Sequence, residues 1–227
     1  IQLARGVCLA FSSLCFFLAI YIMPLAEAVT ISFITPMVAA ALSALLMRER
    51  PPASIWVASL LAFGGVVLVL RPNLGELGWV AVLPLVSAVI FALMIVLNRM
   101  AAGAGSVIAM QFAMSVVAAP ILVLAAIAGH LSGAADLRLG WPDWSVVARC
   151  AFVAISATTA HSLIFIATTR APAGAIAPMT YVQLLVAMAI GVVVYADYPD
   201  GPALAGAALG VAGGLYLWWR DGRSPRR

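Results

Sequence analysis

The chain has 227 residues, of which 65% are hydrophobic and only 9% are charged. Its mean hydropathy is +1.14, whereas soluble domains carry about 25% charged residues. This composition excludes an ordinary soluble domain and predicts a polytopic membrane protein.

Eight apolar segments are each long enough to cross about 30 Å of hydrocarbon as a helix. A β-barrel is excluded because its strands are only about ten residues long and alternate in polarity. The sequence therefore predicts an all-α integral membrane fold with eight transmembrane helices. These predicted spans, numbered 1 to 8 in chain order, cover residues 4–23, 27–47, 54–70, 78–98, 106–128, 146–168, 174–195 and 202–219.

The basic residues, all of them arginine, predict how the spans are oriented, because short arginine-rich loops stay on the cytoplasmic side. With residue 1 inside, nine of the 12 arginines fall on the inner face, and only Arg71, Arg138 and Arg149 fall on the outer face. Both termini are therefore expected in the cytoplasm, with the chain in the inner (plasma) membrane. The net charge of +4 is a topology signal, and no nucleic-acid partner is expected, since the sequence predicts no solvated basic face.

A shift of 148 positions relates two parts of the chain. It pairs Pro24 with Pro172, Glu49 with Asp197, Pro51 with Pro199 and Gly65 with Gly213. Spans 1 to 3 thereby correspond to spans 6 to 8, but span 1 enters the membrane from inside and span 6 from outside. Such an inverted repeat is typical of secondary transporters.

The residues around spans 2 and 3 resemble those of a known family. They are Pro24-Leu25-Ala26-Glu27-Ala28, the midspan Pro36, the helix-ending Arg48-Glu49-Arg50, and Gly64-Gly65 leading to Leu70-Arg71-Pro72. This pattern resembles EamA-type members of the drug/metabolite transporter superfamily. The resemblance implies ten transmembrane helices in two inverted five-helix halves, with both termini cytoplasmic. Asp197 departs from the pattern, because the family often has glutamate there.

The repeat and the resemblance together predict the domain organisation. Residues 1–73 hold the last three helices of the first repeat, and residues 74–227 hold the complete second repeat of five helices. The counterparts of spans 4 and 5 would precede residue 1, so two further helices are expected there. This chain alone is therefore expected to transport poorly or not at all.

His161 is the clearest candidate for chemistry at bilayer depth, where titratable groups are costly. It lies well inside span 6, in a polar run that also contains Ser156, Thr158, Thr159 and Ser162. It is a candidate substrate contact or proton carrier, because histidine titrates near physiological pH. The alternative is a neutral histidine that is hydrogen-bonded to a neighbouring helix.

Paired polar positions of spans 2 and 7 form a second candidate site. The repeat matches Ser32 with Thr180, Phe33 with Tyr181 and Thr35 with Gln183. Inverted-repeat transporters bind substrate near the midplane, often beside helices interrupted by proline, and Pro36 and Pro178 adjoin these positions. The alternative is that the hydroxyl groups bond to their own helix backbone and that Gln183 joins two helices.

These features favour a permease that moves a small organic metabolite through a central cavity by alternating access. An intramembrane enzyme would need paired carboxylates, a metal set or an activated nucleophile inside the spans, so no enzymatic activity, metal or cofactor is expected. A non-transporting structural protein would need neither the midspan polar cluster nor the repeat. Amino acids, nucleoside-type cofactors such as S-adenosylmethionine, and flavins are all compatible with the resemblance.

The expected partners are the metabolite and the lipid bilayer. A homo-oligomer is a further candidate, because Gly206, Gly210 and Gly214 recur at every fourth residue of span 8. This spacing permits close helix contact, either inside the bundle or between protomers.

The arginine distribution predicts that a single cysteine at Ser132 reacts with an impermeant thiol reagent on intact cells and that one at Ser224 does not. The control is a parent protein in which Cys8, Cys15 and Cys150 are replaced. Labelling of Ser224→Cys from outside, or protection of Ser132→Cys, would overturn the predicted orientation.

Overall fold

The structure is a computed structural model that describes residues 1–23, 25–48, 53–70, 78–134, 137–138, 140–171, 182–195 and 201–221. All the regular secondary structure in these ranges is helical. A 3₁₀ turn, Gly78–Ala81, precedes α5. The helices in these ranges are α1 Gln2–Ile22, α2 Leu25–Ser32, α3 Thr35–Leu46, α4 Ala53–Leu70, α5 Val82–Met100, α6 Val107–Leu131, α7 Trp144–Arg170, α8 Val182–Tyr195 and α9 Gly201–Asp221.

Five helical segments in the described ranges are long and apolar enough to cross a membrane. They are Gln2–Ile22, Ala28–Leu46, Gly78–Met100, Val107–Leu131 and Trp144–Arg170. Two shorter apolar helices, Ala53–Leu68 and Leu204–Gly213, fall within predicted spans 3 and 8. The prediction of an all-α membrane protein is confirmed.

Several polar side chains lie inside the bundle, and many large apolar side chains lie on its surface. Ser12, Ser87 and Asn98 are buried, whereas Ile108 is 83% and Phe112 is 70% exposed. In water such an apolar surface would be unfavourable, but it suits contact with lipid tails. The arrangement therefore fits a bundle that is surrounded by a bilayer.

Helix α5 lies at the centre and packs against α1, α2, α3 and α7. Small buried residues allow this close packing, because they let helix backbones approach each other. Ala92 of α5, for example, packs against Ala39 of α3, and Val38 and Leu42 surround that contact. Since α6 packs against both α1 and α7, these helices form one continuous bundle.

Helices α4 and α9 pack against each other. Ile55 and Ala58 of α4 form a cluster with Ala40 of α3, and Tyr216 of α9 covers it. Gly206 of α9 is buried. The glycine-bearing helix therefore makes close contact inside the chain, the first of the two arrangements that its spacing permits.

Predicted span 2 is divided into two helices by a turn at residues 33–34. The cause is Pro36, which has no N–H to donate to the carbonyl of Ser32 four residues earlier. The Thr35 hydroxyl donates a 2.6 Å hydrogen bond to that carbonyl instead. The break is therefore stable within the membrane, because its freed acceptor has a partner.

Gly6 sets the distance between α1 and α6. A Cβ atom at this position would clash with the side chain of Val117 and lie 2.8 Å from the carbonyl oxygen of Met114. Both neighbours belong to α6, and a backbone carbonyl cannot move without shifting its helix. Glycine is therefore required where the two helices cross.

We expect Gly6→Ala to lower the free energy of unfolding by about 1–3 kcal/mol, because overpacking forces α1 and α6 apart. The measurement is the apparent melting temperature of the purified protein in detergent. Gly64→Ala on α4 is the matched control, since a Cβ there has nothing within 4 Å, and alanine is the better helix former. Equal melting temperatures for the two variants would contradict this account of the crossing.

Candidate functional site

A cavity of about 290 Å³ lies where α1, the break between α2 and α3, α5, α7 and α8 meet. Its lining combines hydroxyl and amide groups with aromatic rings, as is typical of small-molecule sites. The lining residues are Ser12, Phe16, Ser32, Phe33, Thr35, Pro36, Ser87, Ala88, Phe91, Ile164 and Gln183.

Four of the predicted site residues are brought together in this cavity. Ser32, Phe33 and Thr35 lie at the helix break, and Gln183 lies in the first turn of α8. Gln183 is about 150 positions from the other three in sequence, so only the tertiary structure brings it to them. Two other predicted residues, Thr180 and Tyr181, lie outside the described residues.

The hydroxyl groups at the break also hydrogen-bond to the backbone. Ser32 Oγ donates to the carbonyl of Ala28 at 2.9 Å, and Thr35 Oγ1 donates to the carbonyl of Ser32. This is what the alternative interpretation of these residues expected. Each hydroxyl oxygen still has lone pairs that can accept a hydrogen bond from a ligand.

A pair of serines that sequence reasoning missed, Ser12 and Ser87, also lines the cavity. Ser12 Oγ lies 3.1 Å from both the carbonyl oxygen and Oγ of Ser87, and Ser87 Oγ donates to the Ser12 carbonyl at 2.8 Å. These bonds join α1 to α5 at the cavity. The sequence signal was weak, since an isolated serine in an apolar span usually bonds to its own helix.

His161 lies beside the cavity rather than in its lining. Its ring centroid is 6.0 Å from that of Phe91, which lines the cavity. Its Nδ1 atom is buried and has no hydrogen-bond partner among the described residues. A buried polar atom left unpaired costs about 1–3 kcal/mol, so Nδ1 is a group to which a further partner could hydrogen-bond.

The rest of the polar run in span 6 does not reach the cavity. Ser156, Thr159 and Ser162 each donate to a carbonyl of their own helix at 2.8–3.1 Å. Residues 151–160 are exposed on the bundle surface. Within this part of the run, only His161 therefore lies against the cavity lining.

Arg5 is a second buried group that sequence reasoning did not assign to a site. The sequence favoured it as a topology signal at the start of span 1, whereas its side chain is completely buried. It donates hydrogen bonds to Asn98 of α5 and Gln111 of α6. The signal in the sequence was that Arg5, Asn98 and Gln111 lie near the predicted cytoplasmic ends of spans 1, 4 and 5.

Three comparisons with known proteins place this geometry in context. A family model described as the EamA-like transporter family matches residues 2–71 and 78–219. An S-adenosylmethionine uptake transporter of Rickettsia bellii (strain RML369-C) is 23% identical over 221 residues, which are 97% of this chain and 73% of that protein. The transporter of the same name from Rickettsia felis (strain ATCC VR-1525 / URRWXCal2) is 21% identical over 227 residues, 100% of this chain and 74% of that protein.

A protein of known crystal structure has a similar fold. Its TM-score with this chain is 0.79 at 20% sequence identity, and the match covers 98% of this chain and 78% of the other. At this level of identity the likeness concerns the fold alone. It shows that the helix arrangement described above occurs in an experimentally determined protein.

We expect Thr35→Val to lower the free energy of unfolding by about 1 kcal/mol, because the Ser32 carbonyl loses the donor that replaces the missing proline N–H. The measurement is again the apparent melting temperature in detergent. Thr169→Val is the control, since the Thr169 hydroxyl donates to the Ile166 carbonyl at 2.7 Å in a helix with no proline break there. A loss in Thr169→Val as large as in Thr35→Val would contradict the role given to the hydroxyl.

Proposed function

Because the chain belongs to the EamA-like transporter family, we propose that it is a secondary transporter that carries a small organic metabolite through the central cavity by alternating access. The observation that carries this proposal is the cavity itself. Residues that are remote in sequence, Thr35 and Gln183, meet there at a helix break. Broken helices beside the midplane are where inverted-repeat transporters bind their substrates.

The lining favours a flat substrate that has several hydrogen-bonding groups. Phe16, Phe33 and Phe91 offer aromatic faces on which a planar ring can stack. Ser87 and Gln183 offer groups that can both donate and accept hydrogen bonds. A nucleoside has both properties, and the Rickettsia relatives are named as S-adenosylmethionine uptake transporters. S-adenosylmethionine is therefore the first candidate substrate.

The proposed binding site has three parts. Ser32, Phe33, Thr35 and Gln183 belong to it by their place in the cavity. His161 belongs to it because its ring lies beside Phe91 of the lining and its Nδ1 has no hydrogen-bond partner within the described ranges. Thr180 and Tyr181 belong to it by the repeat alone, as partners of Ser32 and Phe33.

The proposed arrangement in the membrane follows the repeat. Residues 1–73 supply three helices of the first half and residues 74–227 supply the second half, so that eight spans leave both termini in the cytoplasm. The protein would lie in the inner membrane, in agreement with the excess of arginine on that face. A homo-oligomer through α9 would have to use a face that α4 does not cover.

We expect the full-length protein in proteoliposomes to take up radiolabelled S-adenosylmethionine, and we expect Gln183→Leu to raise the half-saturating concentration about tenfold. A lost hydrogen bond to substrate costs about 1–3 kcal/mol, whereas a polar contact inside a membrane bundle contributes little to folding. The melting temperature should therefore stay unchanged. Ser156→Ala is the matched control, because this serine is exposed and bonds only to its own helix.

Two results would argue against this proposal. One is that vesicles containing the folded protein take up no metabolite from a panel of amino acids, nucleosides and flavins. This result would contradict the proposed transport function. An unchanged half-saturating concentration in Gln183→Leu, together with a lowered melting temperature, would make Gln183 a structural residue and move the binding site elsewhere.

A further inference from the structure

Arg5 is the only arginine that is fully buried among the described residues. Its guanidinium donates to Asn98 Oδ1 through Nε at 2.6 Å and to Gln2 Oε1 through Nη1 at 2.6 Å. Nη1 also donates to the Met110 carbonyl at 3.2 Å, and Nη2 donates to Gln111 Oε1 at 3.4 Å. All four of these acceptors are neutral.

Among the described residues, the positive charge of Arg5 has only these neutral acceptors and no counter-charge. Buried charges in proteins are normally paired, because removing an ion from water is expensive. The ring of Phe165, whose centroid lies 5.0 Å from Cζ of Arg5, offers only the weaker attraction of its π face. An added anion would supply the opposite charge that these contacts lack.

The four hydrogen bonds are unequal, and this shows where an anion would bind. The two short bonds, from Nε to Asn98 and from Nη1 to Gln2, hold the guanidinium in place. The two long bonds, to Met110 and Gln111, both go to α6 from the Nη1 and Nη2 ends. Those two ends present parallel N–H groups, which match the two oxygens of a carboxylate.

Arg5 is buried near the cavity without lining it. It precedes Ser12, a lining residue, by seven positions on α1, which is about 10 Å along the helix axis. Phe165, beneath the guanidinium, directly follows the lining residue Ile164. Arg5 therefore lies between the cavity and the end of the bundle at which α1 and α6 begin.

We propose that Arg5 is an anion-recognition group on the transport path, which binds the carboxylate of the substrate when α6 moves away and releases Met110 and Gln111. The inference rests on the proposed transport function and narrows its substrate class to metabolites that carry a carboxylate. Charge-assisted bidentate hydrogen bonds then replace two long bonds to neutral acceptors. The fixed bonds to Gln2 and Asn98 keep the guanidinium aimed at the ligand.

The test compares two ligands that differ only in the carboxylate, S-adenosylmethionine and its decarboxylated form. Each is used unlabelled to inhibit the uptake of radiolabelled S-adenosylmethionine into proteoliposomes of the full-length protein. In the unaltered protein the decarboxylated form should inhibit at least about tenfold more weakly, the size of one good charged contact. In Arg5→Gln the two inhibitors should agree within about twofold. Arg99→Gln is the control. Arg99 adjoins Asn98 on α5 but donates to the Thr168 carbonyl, so the preference for the carboxylate should remain in this variant.

A second variant keeps the test decisive if Arg5→Gln does not fold. Gln111→Leu removes the weakest acceptor and leaves Nη2 free for the ligand, so the preference for the carboxylate should grow severalfold. A residue that only holds helices together would not produce this gain. Melting temperatures of all variants identify those that are folded.

Several outcomes would overturn the assignment. One is equal inhibition by the two ligands in the unaltered protein, and another is a preference that survives in folded Arg5→Gln or fails to grow in folded Gln111→Leu. Transport of some other metabolite, with no inhibition by either ligand and no preference for carboxylates, would also overturn it while leaving the transport function intact. Loss of transport of every metabolite would instead remove the proposed function.

Discussion

The bundle depends on how a lipid-embedded protein accommodates a completely buried guanidinium. Arg5 is held by acceptors from α5 and α6 and by its own helix, and its charge lies over a ring of α7. In a hydrocarbon environment every polar group needs a partner inside the protein. The cation therefore draws four helix ends to one point, and it constrains which residues can occupy positions 98 and 111.

The same requirement explains the centre of the molecule. Pro36 removes a backbone donor in midspan, and Thr35 replaces it with a hydroxyl. The broken helix leaves room that α5 does not fill, because its residues at this level, Ser87 and Ala88, are small and line the cavity. A cavity and a satisfied backbone thus arise together from a few residues, and the cavity is where a substrate is proposed to bind.

The positions of the helices were largely predictable from the sequence. Apolar length and terminating prolines and arginines are local properties, so most described helices begin and end within a few residues of the predicted spans. The predicted start of span 7, residue 174, lies outside the described residues. The prediction was less accurate at span 2, where a single helix was expected and α2 and α3 are observed. Pro36 pointed to an interruption, but its exact form depended on the hydroxyl of Thr35.

By itself the sequence determined the membrane class, the helical architecture, the family resemblance and part of the candidate site, because each depends on residue type and spacing along the chain. Only the tertiary structure decided which polar residues face inward. Ser12 and Ser156 are both serines in apolar helices, yet one joins two helices at the cavity and the other lies on the bundle surface. The rotation of each helix and its neighbours set that difference, and these are long-range properties of packing. The burial of Arg5 follows from the same cause, since its partners are contributed by residues about 93 to 106 positions away as well as by its own helix.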